Sequence, residues 1–501
     1  MTFPIPALIA ATLICGFASG ASKPNVIVIL ADDLGYGDTN CYGAKPEHVK
    51  TPGIDRLAKE GLRFTDAHSP AAVCTPSRYS LLTGEYAFRN RKEWGILPGD
   101  APLGIKPGSY TLPEMFRSSG YLTGFVGKWH LGLGDGKATT DWNGEIKPGP
   151  LEVGFTSAFF MPATGDRVPT VFLRDRRVEN LDPADPIQVN YKQKIGNWPT
   201  GTENPEQAGV LCGAKGAGHQ GTVTTGVSRM GWMTGGKSAL WDDEQLMDRL
   251  TGEAVRFITD NREKPFFLYF ATHGIHEPRV PAKRFVGKSG AGVYGDQIEE
   301  LDDSVKRIIQ TLEDLKLTDN TLIVFSSDNG GSPQVGQPRG DMTAYNYGER
   351  VNLNGHVPNG VLRGGKYNAF EGGTRVPLIV RWPGHIAAGA TSEALISHTD
   401  LQSSFARLLG VTLPATAAPD SMEILDALTG KSQSGRHELV EHRYGPDLAL
   451  RVGPWKWING QLFDLSNDLS ETRDLAKEQP ERAKAMVARL DEIRAANKTR
   501  P

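Results

Sequence analysis

The sequence predicts an α/β fold: a large central sheet, mostly parallel but mixed, flanked by helices, with a smaller C-terminal α+β subdomain. Two observations carry that expectation. Short, continuously apolar runs recur along the first 385 residues, and amphipathic stretches of helical length separate them. Uninterrupted apolar runs suit strands buried on both faces, and their alternation with helices is the pattern of a parallel sheet. After Gly384 the segments become shorter and more charged, which marks the second unit.

Residues 25–30, Asn-Val-Ile-Val-Ile-Leu, are β-branched and apolar and form the first strand. A helix follows over 51–60, with Thr51 as its expected cap and Gly61 as its stop. Residues 112–119 read as a helix and 122–126 as the second buried strand. A long amphipathic helix over 242–261 leads into a strand over 266–271, and another over 294–315 leads into 321–326. Residues 376–381 add a further strand. Two stretches, 142–237 and 332–365, lose the rhythm to Gly, Pro and polar residues. Insertions of that length inside a compact domain are usually functional or disordered. The C-terminal part holds a helix over 400–409, short strands near 438–441 and 449–458, and a charged helix over 480–496.

Residues 3–18 are apolar and close on the small residues Ala18, Ser19, Gly20 and Ala21, as a secretory signal peptide does. The run is shorter than the ~20 residues a membrane span needs. The expected organisation is therefore a signal peptide at 1–21, a catalytic domain at 22–385 and a C-terminal subdomain at 386–501. The mature protein is expected to be exported, periplasmic or secreted, with no integral membrane segment. With 55 Lys+Arg against 58 Asp+Glu, the chain lacks the basic excess of a nucleic-acid binder. Its 39% hydrophobic and 23% charged residues exclude disorder as a whole-chain description. Cys15 leaves with the signal, so Cys41, Cys74 and Cys212 remain. An odd count asks which thiol is unpaired; a disulfide between Cys41 and Cys212 stays open.

Ligands of parallel α/β sheets bind beyond the carboxyl ends of the strands. Asp32 and Asp33 follow the first buried strand, and Lys128 and His130 the second. His273 and His276 follow the third, Asp328 and Asn329 the fourth. Three carboxylates and an amide oxygen suit a hard divalent cation, Ca²⁺ or Mg²⁺, better than zinc. Lys128, His130, His276 and Lys366 are cationic or can become so, and beside a metal they would clamp a tetrahedral oxyanion. A charged sulfuryl or phosphoryl ester is the expected substrate class. Cys74-Thr-Pro-Ser-Arg78 completes the set. Pro76 suits the first turn of a helix, which puts Cys74 near a positive helix start with Arg78 one turn on. That setting is expected to lower a thiol pKa and to favour an anion.

Further stretches belong with these: Leu81-Leu-Thr-Gly84, Gly127-Lys-Trp-His-Leu-Gly132, Ser327-Asp-Asn-Gly330, Gly364-Gly-Lys-Tyr367, Glu371-Gly-Gly-Thr-Arg-Val-Pro377 and Leu462-Phe-Asp-Leu465. Together with Cys-x-Pro-Ser-Arg, a modification signal, they resemble the formylglycine-dependent type I sulfatases of the alkaline phosphatase superfamily, with an arylsulfatase-like exported enzyme as the implied type. The likeness covers nearly the whole mature chain and fades in the middle insertion. It implies that a formylglycine-generating or equivalent maturation enzyme oxidises Cys74, and that the hydrated aldehyde attacks sulfur and later expels sulfate. It implies Asp32, Asp33, Asp328, Asn329 and the oxygen of residue 74 as ligands to Ca²⁺ (or Mg²⁺). Arg78 and His130 would orient or deprotonate the nucleophile. Lys128, Lys366 and His276 would bind the sulfate and assist the leaving oxygen, His276 being chosen because Glu277-Pro278 follows it. His273 would contact substrate.

The expected reaction is hydrolysis of a sulfate ester on a sulfated carbohydrate. A phosphate or phosphonate monoester hydrolase of the same superfamily is the alternative. An inactive sulfated-glycan binding protein is a third reading, against which the intact modification signal speaks. Trp142, Trp198, His219, Arg229 and Trp232, in the insertion, are candidate sugar contacts.

Overall fold

Strand β1 (Asn25–Ala31) is buried along its whole length. It lies at the centre of a ten-stranded sheet in the computed structural model, which describes residues 23–90, 95–204, 218–332 and 353–501. Val26, Val28 and Leu30 face one side layer and Ile27 and Ile29 the other. Each such side chain contributes about 1.5–3 kcal/mol by leaving water, which is why an uninterrupted apolar run sits here. The remaining strands are β2 (Leu62–Phe64), β3 (Leu122–Lys128), β4 (Ser157–Met161), β5 (Leu173–Arg174), β6 (Arg177–Val178), β7 (Phe266–Ala271), β8 (Thr321–Ser327), β9 (Leu378–Arg381) and β10 (Ala390–Ser392). Their order across the sheet is β10-β2-β9-β8-β1-β7-β3-β4-β5-β6. β8, β1, β7, β3 and β4 run parallel. β9 runs against both β8 and β2, so the sheet is mixed, as expected.

Helices α1 (Pro52–Glu60), α2 (Cys74–Thr83), α3 (Leu112–Ser118), α4 (Leu246–Asp260), α5 (Gly292–Asp314) and α6 (Leu401–Leu409) cover the two faces. Ile54 of α1, Leu250 of α4 and Ile298 of α5 pack with Ile27 and Ile29. Leu82 of α2, Phe116 of α3 and Phe405 of α6 pack on the opposite side. The start of α1 departs from expectation. Thr51 makes no capping bond; its hydroxyl is engaged by Asn40 and Asp55 instead. Asp302, reaching across from α5, accepts from the Gly53 and Ile54 amides at 3.1 and 2.8 Å and satisfies the groups a local cap would have taken.

Two sequence readings need correction. The stretch 142–237 is not irregular throughout, because β4 completes the parallel core of the sheet beside β3. At five residues between Gly- and Pro-rich flanks, it gives little periodic signal. The single strand expected near 449–458 is a hairpin of two, which Gly453 turns at φ +55°. These strands, β12 (Leu448–Val452) and β13 (Trp455–Ile458), sit between β11 (Glu438–His442) and β14 (Gln461–Asp464) in a four-stranded antiparallel sheet. Helix α7 (Pro480–Ala495) covers it through Met486, Leu490 and Ile493. The expected signal peptide lies outside the described residues.

A buried ionic network joins the two sheets. Lys456 of β13 lies 2.8 Å from Glu371, 3.0 Å from Glu441 and 3.5 Å from Glu471, all four side chains fully enclosed except for their mutual contacts. His68 bridges Glu441 at 3.0 Å and Asp66 at 2.9 Å, and Arg451 and Arg375 close on Asp66. Burial alone would raise the Glu371 carboxyl, yet Lys456 and Arg375 hold it well below the usual range. Removing one partner of such a set strands a buried charge, so Lys456→Met is expected to destabilise the fold by about 3–5 kcal/mol. Urea unfolding monitored by circular dichroism measures this; a change within experimental error overturns it.

Candidate active site

β1, β3, β7 and β8 point the same way, so whatever follows each of them meets at one edge. The register sets Ala31 opposite Ser327 and Leu30 opposite Ala271, which brings Asp32 level with Asp328 on one side and with His273 on the other. Ser327 fastens two of these ends: its hydroxyl accepts from the Leu34 amide at 2.9 Å and donates to the Asn329 carbonyl at 2.9 Å. Gly127 permits the approach of β3. It holds φ +120°, and a Cβ there would stand 1.8 Å from the Ala271 carbonyl oxygen. Lys128, the next residue, thereby reaches Asp32 and donates to both its carboxylate oxygens at 2.8 and 2.7 Å.

The other acids are placed by similarly specific bonds. The Asp33 amide donates to Asp328 Oδ1 at 3.2 Å, and Lys366 Nζ donates to Asp33 Oδ2 at 2.8 Å. Asn329 Nδ2 donates to Asp33 Oδ1 at 2.9 Å. Arg78 donates through Nε to Asp328 Oδ2 at 2.8 Å and through Nη1 to the Lys128 carbonyl at 3.0 Å. Cys74 opens α2, a helix buried on all sides. Ligand-capable atoms of Asp32, Cys74 and Asp328 lie within 4.8 Å of one another, as do those of Asp32, His273 and His276. His276 Nε2 stands 3.8 Å from Asp33 and its Nδ1 lies 2.6 Å from the Glu277 carbonyl. His130 Nε2 bonds the Leu97 carbonyl at 2.9 Å. The residues expected to ligate the metal, supply the nucleophile and bind the sulfate lie together at this edge.

The donor set fits a cation. Asn329 Oδ1 is buried and finds no hydrogen-bond partner among the described residues, and a buried acceptor left unmet costs about 1–3 kcal/mol. It sits with three buried carboxylates, the oxygen ligands a hard divalent ion takes.

Electrostatics alter two expectations. Burial raises the Cys74 thiol above its usual range in spite of Lys128 and Lys366, so the helix start does not produce a thiolate. Burial, then the neighbouring lysines, hold His130 and His276 well below the usual imidazole range, and His273 down to about 3. These rings are neutral, and the positive charge belongs to Lys128, Lys366 and Arg78. Burial opposes the charge on Lys366, yet Asp33 beside it keeps the ammonium well above its ordinary value.

The Sulfatase family model matches residues 24–411. This chain belongs to the sulfatase family. An N-acetylgalactosamine-6-O-sulfatase of Bacteroides thetaiotaomicron is 46% identical over 500 residues, covering 96% of this chain and 94% of its own length. Arylsulfatase A of Bos taurus is 33% identical over 455 residues, covering 89% and 77%. A solved structure from work on glycosaminoglycan metabolism by Bacteroides thetaiotaomicron superposes with a TM-score of 0.88 at 45% identity, covering 95% of this chain and all of that one. The protein is a sulfuric ester hydrolase with the alkaline phosphatase fold.

The sulfatase edge also holds residues that sequence reasoning missed. Asp166 and Arg167 follow β4, the strand hidden in the insertion. Gly165 allows their loop to close over His273, since a Cβ there would meet its Nε2 at 2.7 Å. Asp166 Oδ1 lies 2.8 Å from Arg167 and its Oδ2 lies 2.9 Å from His219 Nε2. Asp166, His219 and Glu277 form a further compact group, all within 4.8 Å. Recognising β4 would have found this loop, because it is the next parallel strand delivering residues to the same edge. Of the insertion's other candidates, Trp142 is core, 3% exposed, and Arg229 is fully enclosed by Thr224, Gly165 and Asp243, so neither is available to stack on a sugar. Trp198 packs against the core from its edge, and Trp232 lies half-buried in a short strand paired with residues 188–190. Cys41 has its thiol pushed up to about 12 by burial; Cys212 lies outside the described residues, and with it the disulfide expectation.

Proposed function

We propose that this sulfatase removes a sulfate ester from a sulfated carbohydrate, with a 6-sulfated N-acetylgalactosamine residue as the leading substrate. The reading rests on one juxtaposition: Cys74, within its modification signal, packed against Asp32 and Asp328 with Lys128 and Lys366 alongside. Formylglycine made from Cys74 by a maturation enzyme would supply the nucleophilic oxygen, and a divalent cation, Ca²⁺ or Mg²⁺, held by Asp32, Asp33, Asp328 and Asn329 would polarise the sulfate. Lys128 and Lys366 hold the sulfate oxygens, and Arg78 keeps Asp328 and the helix start in place. With Nε2–H directed to the Leu97 carbonyl, neutral His130 keeps a lone pair on Nδ1 and takes the proton from residue 74. Lys366, kept protonated beside Asp33, gives the departing oxygen its proton, and His276, donating through Nδ1 to the Glu277 carbonyl, holds Nε2 as an acceptor beside it. His273 lies beside the sugar. Arg167, Asp166, His219 and Glu277 offer a cation and acceptors in the pattern of hydroxyl recognition.

The relative named for N-acetylgalactosamine-6-O-sulfatase activity, at 46% identity over nearly the full length, favours that sugar. Export belongs to the same proposal: a leader at 1–21 takes the chain out, and among the described residues no helix is long and apolar enough to cross a membrane.

A panel of defined sulfated saccharides, scored by sulfate release, tests the substrate. Release from the 6-sulfate with little from 4-sulfated or 2-sulfated analogues supports it, and a preference for another position overturns it. Faster cleavage of nitrophenyl phosphate than nitrophenyl sulfate would favour the phosphate or phosphonate alternative. Losing a hydrogen bond from a charged group costs about 1.5–3 kcal/mol. Arg167→Ala is therefore expected to lower kcat/KM on the saccharide by roughly 10- to 100-fold, with a smaller loss on nitrophenyl sulfate. Equal losses on both would place Arg167 with the sulfate instead.

A further inference from the structure

Among the described residues, Tyr444 is the one aromatic side chain that stands exposed, at 51%. A lone exposed aromatic needs no explanation, but this one stands on a hairpin of the smaller sheet that is bonded to the edge of the site. It sits in the turn between β11 and β12. His442, at the end of β11, donates from its amide to the Pro70 carbonyl at 2.9 Å and accepts from the Ala72 amide at 2.8 Å. The hairpin is thus stitched to the segment that leads into Cys74. Within the turn, His442 Nε2 bonds the Gly445 carbonyl at 2.6 Å and Arg443 pairs with Asp447 at 2.9 Å.

On its inner side, Tyr444 meets Tyr367 edge to face, ring centres 5.9 Å apart at 87°. Tyr367 follows Lys366, whose ammonium lies 5.4 Å from the Tyr367 ring, and its amide donates to the Ala72 carbonyl at 2.8 Å. The order outward from Cys74 is therefore Lys366, Tyr367, Tyr444. Gly95 also stands beside it, and a Cβ there would touch the Tyr444 ring at 3.4 Å. A bulkier residue at that position would crowd the ring.

We propose that Tyr444, backed by Tyr367, is a stacking platform for a second sugar ring, the one linked to the sulfated residue held at Cys74. A tyrosine supplies a broad, apolar face at low conformational cost and keeps its hydroxyl in water, which suits the C–H face of a pyranose. The inference rests on the saccharide reading above and extends it from a single sugar to an oligosaccharide chain.

The test compares wild type with Tyr444→Ala, Tyr444→Phe and Tyr444→Trp on N-acetylgalactosamine 6-sulfate and on a tetrasaccharide ending in that residue. Tyr444→Ala is expected to reduce the ratio of kcat/KM on the tetrasaccharide to that on the monosaccharide by about tenfold, chiefly through KM. The Phe and Trp variants should keep the ratio within about twofold of wild type, since a face and not a hydroxyl is at work. An unchanged ratio in Tyr444→Ala overturns the platform, as does a loss equal on both substrates. Titration calorimetry with the desulfated tetrasaccharide separates this from the reading it rests on. Absent sulfate release from both substrates sinks the substrate assignment alone. Binding weakened about tenfold in Tyr444→Ala still supports the platform, whereas equal or undetectable binding in both proteins overturns it.

Discussion

Replacing Cys74 by alanine is expected to abolish sulfate release, lowering kcat by at least about 10³-fold, as loss of a covalent nucleophile does. The fold should survive, because the change removes one sulfur from a helix start whose neighbours are held by their own bonds. Arg78 remains tied to Asp328 and the Lys128 carbonyl, and Lys128 to Asp32. Thermal unfolding of the variant should therefore stay within a few degrees of wild type. In the active protein, mass spectrometry of the peptide spanning residue 74 should show the aldehyde or its hydrate. Because burial keeps the unmodified thiol protonated, a plain cysteine here is a poor nucleophile, and activity should track the modified fraction. Full turnover in Cys74→Ala would remove the proposed nucleophile altogether.

Stripping divalent metal with a chelator is expected to have the second largest effect, a fall in activity of about 100-fold or more, reversed by Ca²⁺ or Mg²⁺. The same treatment should lower Tm. Asp32, Asp33 and Asp328 are buried together, and Asn329 Oδ1 has no partner among the described residues, so the folded state gains from a cation that the unfolded chain cannot bind as well. At a metal concentration 100 times Kd that gain is about 2.7 kcal/mol. Asp328→Asn should blunt both responses. Metal analysis of the stripped protein, followed by activity and Tm with each ion restored, is the decisive measurement; a metal-free protein with undiminished activity and Tm would remove the cation from the proposal.

Much of the site was legible because β1, β7 and β8 are built on apolar runs, and β3 on a short buried stretch, with the polar site residues at or just beyond their carboxyl ends. The fifth parallel strand, β4, is short and framed by Gly and Pro, and with it went Asp166 and Arg167. What the sequence could not convey was depth. A helix start favours a thiolate, and a lysine nearby favours an anion, but neither rule knows that Cys74 and His130 are enclosed. Burial then reverses the expected sign for the thiol and leaves the imidazoles neutral. Trp142 and Trp198 look alike in a loop-rich stretch, yet the first is core and the second lies at its margin. Nor does any motif announce that residues 442–447 return to the rim near Cys74; that contact joins positions some 370 apart along the chain and depends on how the two sheets meet.

The ionic network around Lys456 bears on how this protein can be re-engineered. Glu371 belongs to the segment that carries Lys366, whereas Glu441, Lys456 and Glu471 come from the smaller sheet and the loop after it. Neither half is electrically complete alone. Grafting the C-terminal portion of one homologue onto another, to exchange the residues it lends to the rim, would succeed only where all the partners travel as a set.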